Sequence, residues 1–302
     1  MIYLLLELSY IGSTKEIDNK ISMDLDTLSI ILKYIDDETI KLLFNNTDNI
    51  CIRKEYYDRF YVNYSEIKED HQLIKKIIIN TNIFNLDNFT KLTHLEFGNK
   101  FNQPIKKGVL PDSLKYLNLG FFFNHPIGKG VLPNSLEILK FKNDFDQPIE
   151  KDVLPNSLKH LEFGNEFNQP IEKGVLPDSI TYLKFGDNFN QPICKGILSD
   201  SLGHLEFGNE FNQPIGKDVL PISLKYLKFG WNFNQPIEKD VLPNSLTNLQ
   251  FGYDFNQSIE KGVLPDSLKY LKFGRDFNYS INNILPDSLI YLEFGDNIII
   301  DK

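Results

Sequence analysis

The sequence predicts a solenoid: about ten turns of 22 residues stacked on a parallel β-sheet, behind a small α-helical N-terminal segment. Three observations predict it. A phenylalanine recurs at 101, 123, 145, 167, 189, 211, 233, 255 and 277, nine times at a spacing of 22. Each unit holds one short stretch, such as Leu158 to Phe163, in which Leu161 and Phe163 alternate with polar neighbours as in a half-buried strand. Residues 23–70 do not repeat and carry apolar residues at helical spacing.

Residues 1–22 read as an N-terminal extension; the apolar start MIYLLLELSYIG lacks the basic leading region of a secretory signal. Met23 opens the first helix, where Leu25, Leu28, Ile31, Leu32 and Ile35 share one face. Asp36, Asp37 and Glu38 supply the acids that favour the N-terminal dipole end of a second helix, continued by Leu42, Leu43 and Phe44. Residues 71–91, with Ile74, Ile77, Ile79, Ile83 and Phe84, form a degenerate capping turn.

Residues 92–302 form the repeats, and Phe167 to Asn188 is the cleanest unit. Phe167, Ile171, Val175, Leu176, Ile180, Leu183 and Phe185 should point inward, a face that only stacking can bury. The Asn after each Phe, as at Asn168, Asn190 and Asn212, is suited to pairing backbone groups of adjacent turns as a ladder. The Gly after each strand, as at Gly164, Gly186 and Gly208, suits either a positive φ or a close backbone approach. Pro177 and its equivalents suit an irregular connection. At the far end one residue is lost before Pro286, and Ile298 stands where a tenth Phe would fall. With Asp301 and Lys302 alone behind Ile298–Ile300, this end is expected to be thinly protected and open to end-to-end association.

The segment Phe211-Asn212-Gln213-Pro214-Ile215, followed by Leu-Pro-x-Ser-Leu-x-x-Leu-x-Phe-Gly, resembles the FNIP repeat family of slime-mould and giant-virus proteins. The resemblance covers about two-thirds of the chain and implies a leucine-rich-repeat-like solenoid with an interaction role and no chemistry of its own. Leu28 to Asp37 resembles a degenerate F-box, although Met23-Asp24 stand where that family has Leu-Pro. The resemblance implies a substrate-recruiting subunit of a cullin ubiquitin ligase, in which Leu25, Leu28, Ile31, Leu32 and Ile35 would meet a Skp-type adaptor. The alternative is a stand-alone binding or scaffolding module whose helices cap the first turn.

On the exposed, concave face of the sheet, His94, Tyr116, Ile138, His160, Tyr182, His204, Tyr226, Asn248, Tyr270 and Tyr291 form one column. A second column nearly alternates in charge: Lys140, Glu162, Lys184, Glu206, Lys228, Gln250, Lys272, Glu293. Opposite charges at strand spacing neutralise one another; alternatively they offer a mixed-charge surface to a partner. The column after the Gly is the least uniform, and there Trp231, Tyr253 and Arg275 fall on three successive turns. Trp, Tyr and Arg dominate interface hot spots. With Tyr226 and Tyr270 beside them, and Phe121 with Phe122 as a weaker patch, they are the expected protein-binding residues.

A net charge of −9 speaks against nucleic acid and against an anionic membrane surface. No apolar run reaches the ~20 residues that span a bilayer. Two cysteines, Cys51 and Cys194, make no disulfide framework and suit a reducing compartment, the cytoplasm of the cell or of a virus's host. The histidines have no metal-ligand spacing, and there is no phosphate loop or dinucleotide fingerprint. No enzyme activity, catalytic residue, metal or cofactor is expected.

Overall fold

A 22-residue unit with one short apolar–polar alternation can make one strand per turn, and such strands must pair with their copies in neighbouring turns. The structure, a computed structural model, describes residues 32–38, 40–41, 56, 62–63, 67, 71–82, 84–281, 283–295 and 297–301. It shows this arrangement. The strands are β1 (Val62–Asn63), β2 (Lys76–Ile79), β3 (His94–Phe97), β4 (Tyr116–Asn118), β5 (Ile138–Lys140), β6 (His160–Glu162) and β7 (Tyr182–Lys184). They continue as β8 (His204–Glu206), β9 (Tyr226–Lys228), β10 (Asn248–Gln250), β11 (Tyr270–Phe273), β12 (Tyr291–Phe294) and β13 (Asn297–Asp301). All thirteen lie in one sheet in chain order.

Register is in phase with the repeat: Leu183 pairs with Leu205, and Lys184 with Glu206. Each middle residue, as Leu161 or Leu227, is fully buried while its neighbours face outward. All seven residues expected inside the turn of Phe167 are buried. The core is a double column of stacked phenylalanines. Phe163 lies 4.0 Å from Phe167 within one turn, 5.6 Å from Phe185 in the next, and Phe167 lies 6.1 Å from Phe189. Burying a Phe contributes about 1.5–3 kcal/mol, and here most of the covering surface comes from the turns above and below. Outside the sheet, rings of adjacent turns sit only 4.0–4.3 Å apart. Spacing therefore widens from the sheet toward the interior, so the turns fan apart and the sheet lies on the concave side.

Two side-chain ladders satisfy backbone groups between the turns. Asn168 Oδ1 accepts from the Asn190 N–H (3.0 Å) and from Gln191 Nε2 (3.1 Å). Asp146, which replaces Asn in this column, does the same for Asn168 and Gln169, because the ladder uses only the side-chain oxygen. The serine of the Leu-Pro-x-Ser motif forms the second ladder: Ser157 Oγ donates to the Leu136 carbonyl at 2.6 Å. Ser199, in a proline position, is buried and donates to the Asp178 carbonyl.

Of the two explanations for the glycine after each strand, close approach is the operative one. A Cβ on Gly208 would lie 1.8 Å from the Gly186 carbonyl oxygen. The left-handed backbone sits in another column, shared by Gly174 and Gly196 with Asp152, Asp218 and Asp240, at φ of 62–82°. A lysine of the preceding turn pairs with each of these aspartates, as Lys195 does with Asp218 at 2.8 Å.

The ends differ from expectation. The sheet begins inside the segment expected to be helical, since β1 pairs in parallel with β2. The last strand does not continue the solenoid: β13 turns back and pairs antiparallel with β12, placing Ile298 opposite Glu293 rather than in the phenylalanine column. The one-residue deletion before Pro286 and a positive φ at Gly295 accompany this reversal, and the last parallel edge is thereby covered. Leu32 and Ile40 are buried, Ile35 is half-buried and Tyr34 is exposed. Leu25, Leu28 and Ile31 lie outside the described residues.

Candidate functional site

Because the strands stack in register, a residue type repeated at one strand position becomes a continuous row on the concave face. His160, Tyr182, His204 and Tyr226 form a column of four parallel rings, with interplanar angles of 3–15°. The adjacent charged column braces it. His160 Nε2 and Lys140 Nζ reach Glu162 at 2.5 and 2.8 Å. His204 Nε2 reaches Glu206 at 2.7 Å, the Tyr182 hydroxyl donates to it at 3.2 Å, and Lys228 lies 3.9 Å away.

These contacts set the protonation of the row. The His160 hydrogen bond, aided by Lys140 and working against burial, holds Glu162 at about 2. For Glu206, burial favours the neutral acid, but His204 and the charges of Lys228 and Lys184 outweigh it and lower the carboxyl. Burial, with help from nearby glutamates, pushes the Tyr182 and Tyr226 hydroxyls up, and pushes Tyr270 to about 12. The row is thus a chain of carboxylates and neutral phenols near neutral pH, with most of its polar groups engaged within the row.

β10 breaks both columns. Asn248 stands where the rings of Tyr226 and Tyr270 flank it, and Gln250 stands where the alternation calls for a carboxylate between Lys228 and Lys272. Gln250 Nε2 donates to the Tyr226 hydroxyl at 3.0 Å. Directly beside this break are the expected hot-spot residues. Trp231 is 66% and Tyr253 42% exposed. Their rings lie 6.5 Å apart, and Arg275 donates to the Tyr253 hydroxyl at 2.9 Å. Together with Lys228, Gln250 and Lys272 they line an open groove of about 840 Å³.

The structure therefore brings Trp231, Tyr253 and Arg275 together. Tyr226 and Tyr270 are half-buried in the neighbouring column, Tyr226 held by His204 and Gln250. Phe121, edge-on to Phe122 at 5.2 Å, is exposed five turns away and belongs to no common patch with Trp231. Lys228, Gln250 and Lys272 were not singled out by sequence reasoning as site residues. The interrupted charge alternation was the signal that could have found them. Among the described residues, no three His, Cys, Asp or Glu side chains come together as a metal site, and no helix is long and apolar enough to cross a membrane.

Comparison with known proteins agrees with this architecture. The FNIP Repeat family model matches residues 90–122, 123–166, 167–210, 211–254 and 255–297. Among solved structures, CroV588, described as a novel circular LRR protein, is 42% identical and superposes with a TM-score of 0.61. The match covers 74% of this chain and 40% of CroV588, so this chain spans well under half of that protein. A leucine-rich repeat protein from Eubacterium ventriosum, at 14% identity over 75% of this chain and 82% of its own, superposes with a TM-score of only 0.17, too loosely to bear on the fold. No curated protein matches. Five matched segments spanning more than half of the sequence, on turns built as the motif requires, show that the chain belongs to the FNIP repeat family.

Proposed function

We propose that the protein is a non-enzymatic binding module that captures a protein partner on the concave face of its sheet, centred on Trp231, Tyr253 and Arg275. One observation carries the reading: on an otherwise repetitive surface, these three residues of hot-spot type stand exposed on consecutive turns around an open groove. Nothing in the packing of the turns calls for them. The core contacts of Phe229, Phe251 and Phe273, which precede them, are the same as elsewhere in the stack. Replacing Trp231 and Arg275 by Ala should abolish partner capture while the far-UV circular dichroism stays unchanged. Undiminished capture by that folded double variant would contradict the reading.

A finer reading makes the protein a substrate-recruiting adaptor of a cullin ubiquitin ligase, working in the cytoplasm. Its support is the F-box-like run from Leu28 to Asp37, in which Tyr34 is exposed and Ile35 half-buried. Mixing purified Skp-type adaptor with the full chain, and with a chain lacking residues 1–70, tests it by gel filtration. Co-elution with the full chain alone is expected; no co-elution leaves the helical segment as a structural cap.

A further inference from the structure

The charged column gives most of its members an opposite charge on both sides, and it fails at one place. From Lys140 to Lys228 every turn alternates in sign; the next carboxylate is missing and Gln250 stands there instead. Lys228 keeps only Glu206, at 3.9 Å, and that carboxylate is already engaged by His204 and Tyr182. Lys272 keeps Glu293 at 3.3 Å. One column over, Arg275 adds a third positive charge. Among the described residues lining the groove there is no carboxylate, although the chain as a whole carries a net charge of −9. Asp254 and Asp276 follow Tyr253 and Arg275 in the chain but do not line it.

Two strand spacings, about 9.6 Å, separate the backbones of Lys228 and Lys272, a gap that one anionic group over β10 can bridge with both ammonium groups. We propose that the groove takes an acidic segment of a partner protein, seating an Asp or Glu carboxylate over Gln250 between Lys228 and Lys272. An adjoining apolar or aromatic side chain then lies against Trp231 and Tyr253. The inference rests on the binding-surface reading above and specifies the chemistry of what binds. The charge pattern selects a short acidic segment over a long polyanion, because a nucleic-acid strand following the stack would meet Glu206 on one side and Glu293 on the other.

Random peptides of about a dozen residues, displayed on phage and selected on the full chain, supply the probe. The enriched sequence is then synthesised and titrated. Trp231, the only tryptophan, reports binding at the groove through its own fluorescence. The expected peptides are rich in Asp or Glu beside an aromatic residue and shift that fluorescence. Gln250→Glu, which fills the gap with the protein's own carboxylate, should weaken them about ten-fold or more, whereas Gln250→Leu should not. Peptides that shift Trp231 but are not acidic, or that bind Gln250→Glu equally well, overturn this inference and leave the binding-surface reading standing. Peptides whose binding neither moves Trp231 fluorescence nor responds to Trp231→Ala count against both. A selection with no enrichment, or tighter binding of an oligouridylate than of any acidic peptide, overturns the inference.

Discussion

Asn212 shows how one side chain per turn ties the stack together: its Oδ1 accepts from the Asn234 N–H and from Gln235 Nε2, both at 3.0 Å. Asn212→Ala leaves both donors without this partner and should cost about 2 kcal/mol in urea denaturation. Asn212→Asp should cost much less, because Asp146 already serves in the same column. Gly208→Ala should be worse than either, about 3 kcal/mol or more, since its Cβ would sit 1.8 Å from the Gly186 carbonyl oxygen and two backbones would have to part. The asparagine ladder was legible in the sequence, because a buried amide repeated at one position has few partners but the neighbouring backbone. The role of the glycine was not, since positive φ and close approach call for the same residue and only the packed turns distinguish them. The serine ladder escaped for a similar reason: a hydroxyl after a proline turn can equally face water.

At the scale of the strands, the mixed-charge row acts as a pH-dependent clasp. Glu162 titrates at about 2 in the fold against an ordinary 4.5. A depressed carboxyl contributes its stability above the ordinary value and loses it as pH falls toward the folded one. Thermal stability should therefore fall on acidification from about pH 5 to 2, with a smaller fall in Glu162→Gln. An equal fall in that variant would place the acid sensitivity elsewhere. The same logic predicts that Gln250→Glu, which completes the alternation beside Lys228 and Lys272, stabilises the fold by about 0.2–1 kcal/mol per neighbouring pair. A lower melting temperature for Gln250→Glu would contradict it. The columns could be written down from the sequence because the period is constant. Which carboxylate each lysine and histidine engages depends on rotamers, which the period does not fix.

For the molecule as a whole, a solenoid's stability is close to a sum over turns and their interfaces, so turns can be removed if the surviving neighbours match. Deleting residues 145–188, two turns, sets Lys140 against Glu206 and should leave a folded, shorter stack. Deleting 167–188, a single turn, sets Glu162 against Glu206 and should melt lower than the two-turn deletion despite its larger size. The reverse order would show that charge matching between turns is not what matters. The solenoid was legible because an uninterrupted 22-residue period admits few other folds. The ends were not, because β1 lies in a segment without repeat and β13 reverses direction where a residue is lost.

The claim that the break at β10 and its flanking aromatic residues form the binding surface is tested most directly by photocrosslinking. A benzoylphenylalanine is placed at 231 or, as a comparison, at 165, three turns earlier in the same column. Each protein is irradiated with the acidic peptide or a captured partner. The account predicts a crosslinked adduct from position 231 and little from 165. Equal adducts from both, or an adduct from 165 alone, would contradict it.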